Sequence, residues 1–110
     1  VARNRGIEAL VFRGHLLVMG GSQNGAGAVN TVVALDLAAP SEWVELPPMN
    51  VARSSFGAAV VGDCVLAFGG ADKEHEPLDS VELFDGERWR LLNLKLPCPL
   101  DDFRVAVLPP

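Results

Sequence analysis

The chain repeats itself. Aligned on its own sequence with a period of about fifty residues, Ala9 falls on Ala58, Val11 on Val60, Leu17 on Leu66 and Val32 on Val81. Gly20-Gly21 falls on Gly69-Gly70, and Asp36 on Asp85. Trp43 and Trp89 correspond as well, the connection before Trp43 being slightly longer, as a surface loop tolerates. After Trp89 the pattern starts a third time, with Phe103-Arg104-Val105-Ala106-Val107-Leu108 echoing Phe56-Gly57-Ala58-Ala59-Val60-Val61. Such a period marks a stack of supersecondary units, each of which buries its apolar side against the next.

Within each period the pattern predicts four short strands. They are Ile7 to Arg13, His15 to Met19, Asn30 to Asp36 and one from Trp43; then Phe56 to Val61, Cys64 to Phe68, Asp79 to Asp85 and one from Trp89. Arg13-Gly14 and Gly62-Asp63 fit two-residue hairpin turns, where glycine takes a positive φ without steric cost. No segment carries a 3.6-residue apolar period with capping residues, so no substantial helix is expected. Leu16-Leu17-Val18-Met19, Ala58-Ala59-Val60-Val61 and Val65-Leu66-Ala67-Phe68 are apolar on consecutive residues. A sheet with one wet face would alternate. These strands therefore need cover on both sides, which an antiparallel fold provides by stacking each small sheet between two others, as in a propeller.

Composition closes off several function classes. Apolar residues make up 49% of the chain, too many for disorder. No apolar run approaches the roughly 20 residues of a membrane helix. With a net charge of −5 and no basic cluster beyond Arg3 and Arg5, nucleic acid is not an expected partner. Cys64 lies in an apolar strand and Cys98 between two prolines. Two cysteines so placed do not make a disulfide framework. Both read as reduced thiols of a cytoplasmic protein, Cys64 as a small buried hydrophobe. The opening Val1-Ala2-Arg3-Asn4-Arg5-Gly6 has neither an initiator Met nor a secretory signal, which points to a segment of something longer.

An apolar strand, then Gly-Gly, a variable loop, an apolar-acidic strand and a Trp is a pattern that resembles Kelch repeats. Here it runs from Leu16 to Gly21 with Trp43, and from Cys64 to Gly70 with Trp89. Trp43-Val44-Glu45-Leu46-Pro47-Pro48-Met49 with Arg53, and Asp79-Ser80-Val81-Glu82-Leu83-Phe84-Asp85, resemble the Kelch-like adaptor proteins in particular. The chain departs from that pattern in having no Tyr, with Leu35 and Phe84 before the third-strand Asp, and Leu100 where a further Arg is expected. The resemblance implies an all-β fold, a partial Kelch-type propeller of two four-stranded antiparallel blades plus one extra strand. Residues 4–52 would be the first repeat, 53–102 the second and 103–110 the first strand of a third. Two blades alone leave two apolar faces bare, so the remaining blades are expected in a parent chain, the alternative being assembly with other copies.

The glycine pairs read as structural, because a dinucleotide site needs a helix start after the glycines and none follows. Trp43 and Trp89, at equivalent positions, are expected to pack between blades. The loop Ala71 to Asp79 gathers His75 among acids, but the equivalent loop of the first repeat has no acids, and it reads as solvated with no metal. No cofactor and no catalytic residue is expected. Arg53, Ser54 and Ser55, with Asn50 before them, precede a first strand, where binding residues concentrate on a rigid scaffold. By the resemblance these connections line a partner-binding face. Arg53 has two readings: a guanidinium fork offered to a partner's carboxylate or phosphate, or an ion pair with a nearby acid that holds the loop.

The resemblance thus implies a protein-interaction module that takes a protein or peptide partner, as substrate receptor of a cullin-based ubiquitin ligase. The alternatives are a fragment of a Kelch-fold enzyme acting on sugars, of oxidase or sialic-acid isomerase type, or an actin-associated scaffold.

Overall fold

A computed structural model describes residues 4–23 and 27–100. Ten strands follow in order: β1 (Asn4–Arg5), β2 (Glu8–Phe12), β3 (His15–Met19), β4 (Ser22–Gln23), β5 (Val32–Asp36), β6 (Trp43–Leu46), β7 (Gly57–Val61), β8 (Cys64–Phe68), β9 (Leu78–Phe84) and β10 (Trp89–Leu100). Among the described residues there is no helix. The strands β2-β3-β5-β6 form one four-stranded sheet and β7-β8-β9-β10 the other, every pair antiparallel. Each is a simple meander, so the sequence repeat is also a repeat of blades. A small ribbon of β1 with β4 was not foreseen in the sequence. The extra strand expected over 103–110 lies outside the described residues.

The hairpins explain the registers. Arg13 and Gly14 both have positive φ (50° and 74°), the pattern of a type I′ turn, and Phe12 faces His15 across it. Gly62, with φ 60°, turns β7 into β8 and sets Val61 opposite Cys64. From these anchors the alternation of the pleat decides which side chains look inward. Phe12, Leu17, Met19, Val32 and Ala34 of the first blade are buried, and so are Val65, Ala67, Phe84 and Trp89 of the second. Together with Met49 and Phe56 from the connection between blades they form one core, which lies between the two sheets. Fully burying such a side chain is worth roughly 1.5–3 kcal/mol, so this seam holds the blades together.

The two Trp residues, expected to be alike, differ. Trp89 is 7% exposed, stacks on Phe84 at 5.0 Å, and its indole N–H donates to the Pro47 carbonyl of the first blade's exit at 3.0 Å. Trp43 is 50% exposed, because its face of the first blade points away from the second. Cys64, expected to be buried, is only half-buried for the matching reason: it lies on the outer face of the second blade. Also unforeseen is the length of β10, which runs on to Leu100 with one register shift before Lys95 and one after it. It is the edge of its sheet, where a proline such as Pro97 is tolerated.

Candidate functional site

The segment from Asn50 to Phe56 carries the first blade into the second. Gly21 N–H donates to the Arg53 carbonyl at 2.7 Å, and Arg53 N–H donates to the Val29 carbonyl at 3.1 Å. Arg53 is thus tied by its main chain to the glycine-pair loop of the first blade, while its side chain enters the second. The guanidinium is fully buried. It donates to Glu82 Oε2 through Nε (3.2 Å) and Nη2 (3.1 Å), to the carbonyls of Gly69 (2.9 Å) and Ser80 (3.0 Å), and to Ser80 Oγ (2.9 Å). Glu82, also fully buried, accepts in addition from Asn50 N–H (2.7 Å), Asn50 Nδ2 (3.2 Å) and Val51 N–H (3.2 Å). Burial lowers the Arg53 pKa from its ordinary value and the Glu82 carboxylate works against that shift. An arginine remains charged regardless, so this is a buried ion pair with its hydrogen-bonding capacity met.

The structure therefore places Arg53 beneath the loop, with no surface from which to reach a partner. What it brings to the surface is the rest of the predicted group. Asn50 is exposed, and Ser54 and Ser55 are half-buried. Ser54 exchanges two hydrogen bonds with Ala71 of the loop after β8 (3.0 and 2.9 Å), and Ser55 N–H donates to the Gly6 carbonyl at the entry to β2 (2.9 Å). Ser55 adopts φ 54°, a left-handed conformation that a non-glycine residue holds only when its surroundings dictate it. The glycine pairs sit against this segment. Gly70, φ 87°, lies so close that an added Cβ would fall 2.6 Å from the Ser54 carbonyl oxygen and from Phe56 Cβ.

Glu82 is the residue that sequence reasoning missed. The signal was present: it stands between Val81 and Leu83, in the strand that follows Val65 to Phe68, a run read as covered on both faces. A carboxylate there needs a buried cation. In the loop Ala71 to Asp79, the Asp72 carboxylate accepts the N–H groups of Glu74 and Glu76, both at 2.9 Å, which makes it a turn cap. At the other end of the strands, a cavity of about 170 Å³ opens between the blades, lined by Phe12, His15, Leu17, Phe84 and Gly86 among others. It is smaller than the roughly 300–1,000 Å³ of small-molecule sites. Its rim residue Arg13 is already committed to Asp63, at 2.7 Å, and to the Asp85 carbonyl, at 3.1 Å.

Residues 52–93, the span that holds Arg53, Glu82, the glycine pair and Trp89, match the Kelch motif. The second blade is a Kelch repeat. The first blade shares its strand order, hairpin and glycine pair, so the two blades together have the all-β form of a partial Kelch-type propeller. A human relative, Kelch-like protein 34, is 43% identical over 49 residues, which cover 43% of this chain and 8% of that protein. The matched segment is thus a small part of the relative's length.

Proposed function

We propose that this Kelch chain is part of a cytoplasmic propeller that recognises a protein partner without chemical turnover. Asn50, Ser54 and Ser55 would touch the partner, with Arg53 holding them from below. The observation that carries the reading is the combination at this loop. A buried, fully hydrogen-bonded ion pair fixes its backbone, and amide and hydroxyl groups stand at its surface. Order beneath and adaptable hydrogen bonding above is what a recognition loop needs, since a loop already held in place costs little entropy to bind. The similarity to a Kelch-like protein supports extending the role to substrate receptor of a cullin-based ubiquitin ligase. Among the described residues no helix is long and apolar enough to cross a membrane.

The test is comparative capture in cells. The parent chain, intact or carrying Asn50→Ala, Ser54→Ala and Ser55→Ala together, is tagged and its associated proteins are quantified by mass spectrometry. The triple variant should lose a defined set of proteins while any cullin scaffold is retained at equal yield. Identical sets from both chains would reject this loop as the contact surface. A parent chain that brings down no cullin would reject the ligase role and leave the loop assignment standing.

A further inference from the structure

The two blades touch along β2 and β7 and part toward β6 and β10. Phe12 and Phe84, with ring centroids 6.1 Å apart, floor the cavity of about 170 Å³ between them. Beside it, on the same face of the first blade, lies a second recess of about 390 Å³, and His15, Ala34 and Leu46 line both. Farther out the walls separate. Val44 on the first blade is 54% exposed, and Leu91, on the side of β10 that carries Trp89, is 53% exposed. This cleft lies between blades already in contact. Further blades of a parent chain would stack on the two far faces and leave it open.

Its mouth has a chemistry of its own. By repeat position Leu17 and Leu46 correspond to Leu66 and Leu92, whereas Glu42 and Val44 correspond to Arg88 and Arg90. The apolar floor is thus repeated along the chain, while the acid at the mouth belongs to this cleft. Asp36 lines the recess together with Glu42, and its carboxylate is fixed by accepting the Ala38 N–H at 2.9 Å. Among the described residues neither acid is in an ion pair, and Arg13, the cation at the rim, is taken up by Asp63.

A cavity of about 150 Å³ with apolar walls takes a benzene-sized group, and uncompensated carboxylates beside it favour a cation. We propose that this cleft docks a partner segment in which one benzene-sized apolar side chain stands next to a lysine or arginine. The apolar group enters the cavity over Phe12 and Phe84, and the cation lies over Asp36 and Glu42. The cleft opens at the end of the strands opposite the Asn50–Ser55 loop. It is a second docking surface, and its failure would leave the role of that loop untouched.

Methyl NMR on the parent chain tests it, with capped pentapeptides as probes: Ala-Lys-Phe-Lys-Ala, Ala-Glu-Phe-Glu-Ala and Ala-Lys-Ala-Lys-Ala. The first should move the Val44 and Leu46 methyl signals saturably. The acidic peptide and the peptide without Phe should each bind at least about tenfold more weakly. Glu42 is exposed on a loop, so Glu42→Lys should leave the fold intact and turn the preference from the basic toward the acidic peptide. Asn50→Ala, Ser54→Ala and Ser55→Ala together should leave every titration unchanged, which keeps the two surfaces distinguishable. No saturable shift at Val44 and Leu46, equal binding of the basic and acidic peptides, indifference to the Phe, or a preference that Glu42→Lys does not alter would each overturn the proposal.

Discussion

Arg53 and Glu82 are the pair on which the loop depends. Removing one partner of a buried ion pair leaves the other charged and unpaired, at a cost of about 3–5 kcal/mol. Arg53→Ala should therefore lower stability by that amount in urea unfolding, and Glu82→Ala by a similar amount, since it also strands the N–H groups of Asn50 and Val51. A loss below 1 kcal/mol would mean that the network is not formed in solution. Two glycines give a second contrast. Gly70→Ala places a methyl against Ser54 and Phe56 at a positive φ and should cost about 2–5 kcal/mol. Gly14, also at positive φ, has nothing within 4 Å of an added Cβ, and Gly14→Asn should cost less than about 1 kcal/mol in the same assay. The sequence marked Arg53 as special without showing whether it faced in or out. Its acid lies far along the chain, and only the pleat of β9 turns that acid toward it.

At the level of elements, the β2–β3 turn is latched to the second blade. Arg13 Nε and Nη2 grip the Asp63 carboxylate at 2.8 and 2.7 Å, the guanidinium lies 4.8 Å from the centre of the Phe12 ring, and Nη2 also reaches the Asp85 carbonyl. The hydrogen bond from Arg13 lowers the Asp63 pKa below its ordinary 3.8, and the N–H groups of Glu87 and Arg88 lower that of Asp85. Depressed carboxylates add stability that is complete above the ordinary pKa and is lost as pH falls through the folded one. The latch should thus hold at neutral pH and release only below pH 3.8, as pH falls through the lowered Asp63 midpoint. Arg13→Ala should move the Asp63 carboxyl titration, followed by NMR, back up toward 3.8. An unchanged midpoint would show that the latch is absent. The hairpins and their turn residues were legible because their rules are local, a glycine and a period of two. The latch and the long β10 were not, because both depend on what lies across a seam or beyond an edge.

For the whole molecule, apolar runs on consecutive strand residues were the decisive sequence signal, since they required cover on both faces before any contact was known. They gave the two-blade stack but not its ends. Trp43 and Trp89 read alike in sequence, and only the order of stacking makes one an inner residue and the other an outer one. Acrylamide should accordingly quench Trp43 and spare Trp89 in the monomer, so that Trp43→Phe leaves blue-shifted, protected emission. Equal quenching of both would contradict the stacking order.

Two neighbouring amides, those of Ser54 and Ser55, point to different halves of the protein: one is fastened to the loop after β8, the other to the doorway of β2. The pair works as a caliper laid across the joint. Should one leaf tilt against the other, the jaws would have to open by the same amount, and the hydroxyls they carry would shift apart. A molecule gripping both serines would thereby favour a single angle between the leaves, making recognition and ring geometry one measurement.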